Sequence, residues 1–100
     1  MDLKKEQSIK NKLESIKTET NESYEIRIRK LKSLINQMNL HLFENPDDKK
    51  KILVFQKLGY EAISQLLDND KEIEAIEKEK QKEKTKSLIK ILETEITILS

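Results

Sequence analysis

The only histidine of the chain lies among carboxylates, in the stretch "HLFENPDD" (41–48). An imidazole followed by Glu44, Asp47 and Asp48 offers nitrogen and oxygen ligands at short spacing, and such a set could hold a divalent cation. His41 also falls near the end of a predicted helix, where a protonated imidazole interacts favourably with the negative end of the helix dipole. We favour this second interpretation and expect neither a bound metal nor a catalytic residue.

Other residue patterns that support catalysis or cofactor binding are missing from the sequence. A single glycine cannot build a phosphate-binding loop, and the lack of cysteine removes thiol catalysis, thiolate metal sites and disulfides. The stretch "DNDKE" (68–72) lacks the glycine and the final glutamate of a calcium-binding loop. We therefore expect a protein that is not an enzyme, with no cofactor and no small-molecule substrate.

Basic residues in two segments suggest a nucleic-acid-binding accessory protein as the alternative function. The residues concerned are Arg27, Arg29, Lys30, Lys78, Lys82, Lys86 and Lys90. The last four recur every fourth position, so they form a stripe along one helix that could follow a row of phosphates. Glutamates are interleaved with this stripe and the net charge is only +1, which is typical of a solvated helix face.

The composition predicts that helices alone position these residues. The chain of 100 residues is 39% charged and 4% aromatic, with one glycine and one proline. Strands and tight turns require more aromatic residues, glycine and proline than this. We expect one all-α domain over residues 1–100. The start "MDLKKEQSIK" has no apolar core of a secretory signal, and no apolar run approaches the roughly 20 residues of a membrane span. Together with the lack of cysteine, these features indicate a cytoplasmic protein.

Apolar residues recur at helical spacing through the first half of the chain and predict one helix over about 3–44. The residues of this stripe are Ile9, Leu13, Ile16, Tyr24, Ile28, Leu31, Leu34, Ile35, Met38 and Leu42. Asn45 precedes Pro46, so the helical conformation is disfavoured there, and Pro46 suits the first turn of a second helix over about 47–97. The two helices would form a long, coiled-coil-like antiparallel hairpin with a turn at 45–46, in which Leu31 faces Gly59.

A three-helix bundle is the alternative fold. Asn69 and Glu72 have the spacing of a capping box, which would start a third helix after a second break near 68–70. The segment "KTETNES" (17–23) is a poor helix former, and we expect it only to fray. Lys80 and Lys84 fall on the apolar face of the second stripe, where the packing of a hairpin should be loose.

The C-terminal segment "IKILETEITILS" (89–100) distinguishes the two folds. In the hairpin it extends beyond the first helix and exposes a row of apolar residues: Ile89, Ile91, Leu92, Ile96, Ile98 and Leu99. Apolar surface of this size needs to be covered. We expect a non-catalytic protein–protein interaction module, as an adaptor, inhibitor or assembly subunit, that forms a homo-oligomer or docks on another protein through this tail. The β-branched stretch "TEITILS" (94–100) could instead add as a strand to the sheet of a partner.

Overall fold

The computed structural model describes residues 3–100, with side chains from residue 4 onwards. This part of the chain contains only helices, which confirms the all-α class. The elements are α1 (Leu3–Thr18), α2 (Tyr24–Glu44), a single 3-10 turn (Pro46–Asp48), α3 (Lys49–Asn69) and α4 (Ala75–Leu99).

The corner at Pro46 lies where the sequence predicts it. α2 ends at Glu44 because Asn45 leaves the helical conformation, with φ −132° and ψ 69°. The backbone N–H of Asn45 donates to the carbonyl of His41 at 2.8 Å, and the N–H of Asp48 donates to the carbonyl of Asn45 at 3.0 Å. The chain reverses over these few residues, so α2 and α3 pack as an antiparallel pair.

The predicted helix over about 3–44 is divided at residues 19–23, so the prediction of an unbroken helix is wrong there. The N–H of Asn21 donates to the side chain of Glu19 at 2.6 Å. The hydroxyl of Ser23 accepts the N–H of Ile26 at 3.3 Å and caps the start of α2. Side-chain oxygens that bond to nearby backbone groups, as those of Glu19 and Ser23 do here, offer these groups an alternative to helical hydrogen bonds. α1 is thereby free to fold back and pack against both α2 and α3.

The predicted second helix is also divided, as the alternative fold requires. The carboxylate of Asp70 accepts the N–H of Glu72 at 3.0 Å, which closes an Asx turn. Asp70 is buried, and its own N–H still bonds to the carbonyl of Leu66. The capping box expected from Asn69 to Glu72 does not form, because α4 begins only at Ala75.

α4 runs back along α3 towards the Pro46 corner. Two ion pairs show the antiparallel direction: Lys82 with Asp68 at 2.6 Å, and Lys57 with Glu93 at 3.4 Å. The longest dimension of the molecule is 41 Å, shorter than the roughly 60 Å that a 42-residue helix would span. The described residues therefore form a bundle in which the α2–α3 hairpin is the centre.

The apolar core lies among α1, α2 and α3. Its most deeply buried side chains are Leu31, Ile35, Met38, Ile52, Ile63 and Leu67. α4 packs against α3 alone among the described helices, and Thr85 is its one buried residue. α4 thus has one neighbour and fewer fully buried residues than any of the other three helices.

Gly59 permits the close approach of α2 and α3. A Cβ atom added at Gly59 would lie 2.7 Å from Cγ1 and 2.9 Å from Cδ1 of Ile35, which is closer than packed carbon atoms allow. The sequence predicts a close contact at Gly59, but with Leu31. In the structure Gly59 contacts Ile35, one helical turn after Leu31 in α2, because the 3-10 turn lengthens the corner between the helices.

Gly59→Ala should lower the free energy of unfolding by about 1 kcal/mol. Overpacking against Ile35 costs about 1–3 kcal/mol, and the better helix propensity of alanine offsets about 1 kcal/mol. In an Ile35→Ala background the clash disappears, so the same substitution should raise stability. Urea denaturation of the four proteins in this cycle measures the change of sign. An equal effect of Gly59→Ala in both backgrounds would contradict the contact.

Candidate protein-interaction surface

His41 lies in the interface between α1 and α2. Its side chain is half-buried and lines a cavity of about 80 Å³ with Ser8 and Lys12 of α1. Its Nδ1 atom is buried and makes no hydrogen bond to the described residues. Over residues 3–100 there is no group of three or more histidine or carboxylate side chains with the geometry to hold a metal ion.

Arg27 joins the end of α1 to the start of α2. The side chain is only 6% exposed, and its Nε atom donates to the carbonyl of Ile16 at 3.0 Å. A second guanidinium nitrogen donates to the carbonyl of Lys17, and the group lies 5.4 Å from the ring centroid of Tyr24. The guanidinium therefore satisfies carbonyls at the C-terminal end of α1, a position in which it is not available to a phosphate.

The other basic residues remain on the surface, and three of the six have acidic neighbours. Arg29 pairs with Glu25 at 3.1 Å and Lys30 pairs with Glu22. The hydrogen bond and the charge of Asp68 raise the pKa of the Lys82 amine. Lys78 is half-buried, whereas Lys86 and Lys90 are exposed. Because Arg27 is buried, the seven basic residues named in the sequence analysis do not all lie on one surface.

α4 divides the six apolar residues of the C-terminal segment between two faces. Ile89, Leu92 and Ile96 are half-buried on the side that packs against α3. Ile91 is 56% exposed and Ile98 is 76% exposed, and Leu99 is also exposed. Since Ile91 and Ile98 are seven residues apart, they lie on the same side of the helix. The stretch 94–99 is helical.

α2 and α4 pack on different sides of α3 and not on each other, which leaves a groove between them, the α2–α4 groove. Its middle part is a cavity of about 410 Å³ whose lining includes Lys32 and Asn36 of α2, Tyr60 and Ile63 of α3, and Lys84 and Leu88 of α4. Burial in this groove raises the pKa of Tyr60. The groove-facing sides of α2 and α4 are therefore not packed against each other.

Towards the Pro46 corner the walls of the groove carry exposed, bulky apolar residues. Phe43 follows Asn36 by seven residues and Ile91 follows Lys84 by seven, so both continue the groove-facing sides of their helices. Phe43 is 86% exposed, the largest exposure among the bulky apolar side chains described. Exposed phenylalanine and isoleucine on facing walls indicate a surface that another protein segment could cover.

No family model, no curated protein and no solved structure matches the chain. None of the helices between residues 3 and 100 combines the length and the apolar character that crossing a bilayer requires. The surface must therefore be interpreted from its own residues.

Proposed function

We propose that the chain is a non-catalytic, cytoplasmic protein–protein interaction module that self-associates through the exposed face of α4. One observation carries the proposal: Ile91 and Ile98 are more than half exposed on one side of a helix that has a single neighbour in the bundle. Burying an isoleucine contributes about 1.5–3 kcal/mol. A second copy supplies the cover most simply, because a two-fold interface buries the same residues on both chains.

Exposed apolar residues near the Pro46 corner extend this surface. α4 returns towards the Pro46 corner, and Phe43 lies just before that corner, so Ile98 and Phe43 occupy the same end of the bundle. Leu99 at the end of α4 and Leu40 of α2 are exposed there as well. A partner that covers the end of α4 would also come close to α2, which enlarges the apolar area that association removes from water.

The double substitution Ile91→Ser with Ile98→Ser tests the proposal. The wild-type chain should show a solution mass at least twice its 11.8 kDa in light scattering, and the mass should rise with concentration. The double variant should remain at the monomer mass and keep its helical circular dichroism, because both side chains face solvent within one chain.

Ile76→Ser is the matched control. Ile76 is 67% exposed on the same helix, but it lies in the first turn of α4 and outside the proposed surface. This variant should associate as the wild type does. A wild-type chain that is monomeric at every concentration, or an Ile76→Ser variant as defective as the double variant, would overturn the proposal.

A further inference from the structure

We propose that self-association is an antiparallel, two-fold pairing of α4 with α4 of a second copy, an inference that rests on the proposed function. In this pairing Lys84 lies opposite Glu95 of the second copy, and Leu88 lies opposite Ile91 of the second copy. The symmetry axis passes between residues 89 and 90. Each contact occurs twice, so a single helix supplies both halves of the interface.

The four residues share the groove-facing side of α4. Lys84 and Leu88 line the α2–α4 groove directly. Ile91 and Glu95 follow them by one heptad each and therefore lie on the same side. Their separations are four, three and four residues, an order that is the same when the helix is followed in either direction. An antiparallel copy can thus match all four positions at once.

Charge complementarity selects the antiparallel direction. Lys84 is exposed and Glu95 is half-buried, and neither belongs to any ion pair among the described residues. The antiparallel pairing places each amine against a carboxylate of the other copy. A parallel two-fold pairing would place Lys84 against Lys84 and Glu95 against Glu95, and like charges across an interface oppose association.

The groove leaves this side of α4 open for a second helix. α2 does not pack on α4, so a second α4 can lie beside the first without separating any pair of packed helices. Leu88 is half-buried and Ile91 is more than half exposed, so both gain burial from the second copy. Ile98 continues the same side and would be covered near Gln81 of the second copy.

Charge reversal tests the register. Lys84→Glu or Glu95→Lys alone sets like charges opposite each other at two symmetric places, and we expect each to raise the dimer dissociation constant about tenfold or more. A one-to-one mixture of the two variants should restore dimers. In the mixed dimer the two substituted side chains face each other with opposite charges, and the remaining native Lys84 faces the remaining native Glu95. Sedimentation equilibrium of each variant and of the mixture measures these constants.

Lys86→Glu is the matched control, because Lys86 is exposed two residues along the helix and so on the opposite side from Lys84. This variant should associate as the wild type does. The mixture also controls for folding, since it contains only the two defective proteins.

The outcomes separate this inference from the proposed function. If the wild type associates through Ile91 and Ile98 while both charge reversals leave the dissociation constant unchanged, the register is wrong and the proposed function stands. If the single variants are defective and their mixture does not recover, the antiparallel pairing is also wrong. A wild-type chain that is always monomeric overturns both.

Discussion

Leu31→Ala should lower the free energy of unfolding by about 3 kcal/mol. Leu31 has no exposed surface and lies in the core cluster where α2 packs on its neighbours. Truncation removes apolar contacts and leaves a cavity, and leucine-to-alanine changes in such sites cost about 2–5 kcal/mol. Urea denaturation followed by circular dichroism gives the change from the midpoint at an unchanged slope.

Leu40→Ala provides the matched control for this prediction. It is the same chemical change in the same helix, but Leu40 is 60% exposed on the surface of the bundle. Its effect should stay within about 0.5 kcal/mol when both variants are measured below the concentration at which copies associate. Equal losses at the two positions would show that the core-facing side of α2 is assigned incorrectly.

Arg27→Met should lower the free energy of unfolding by about 2–3 kcal/mol. Methionine retains an apolar stem but cannot donate, so the carbonyls of Ile16 and Lys17 lose their charged partner. The effect should fall mainly on α1, because these bonds attach its last turn to α2. Relative to the wild type, amide hydrogen exchange should therefore accelerate more in α1 than in α3. Denaturant unfolding measures the loss of overall stability separately.

Two further variants make the result for Arg27 specific. Arg29→Met removes the same charge from an exposed side chain paired only with Glu25, and it should cost less than about 0.5 kcal/mol. Arg27→Lys should restore little stability, because one ammonium group does not reproduce the planar fork that reaches both carbonyls. Full stability of Arg27→Lys would indicate that the charge alone matters.

Hydrophobic periodicity predicts which side of each helix is buried, but it does not predict where a helix ends. The stripe from Ile9 to Met38 keeps its phase across the break at 19–23, and both parts of it enter the core. A constant phase is compatible with one helix or with two that pack on the same neighbour. The Pro46 corner is predictable because proline restricts the backbone by itself, without help from tertiary contacts.

The sequence does not show which local polar bonds will form or which side chains distant parts of the chain will bury. The turn at Asp70 closes on Glu72, and Asp70 is buried in the folded chain, which its sequence neighbours do not indicate. Arg27 occurs in a basic cluster, and nothing local shows that carbonyls 10 and 11 residues earlier accept its protons. For the same reason the six apolar residues of the C-terminal segment could be predicted as a set, while their division into packed and exposed members required the position of α3.

The single interface of α4 has a consequence for how the chain opens. When one helix packs on one neighbour and the other three share a closed core, that helix can detach while the rest stays folded, at a lower free energy than global unfolding. Pairing with a second copy would give α4 a second interface. A helix held by one interface in the isolated chain would then become the centre of the assembly, and its protection from proteases would depend on protein concentration.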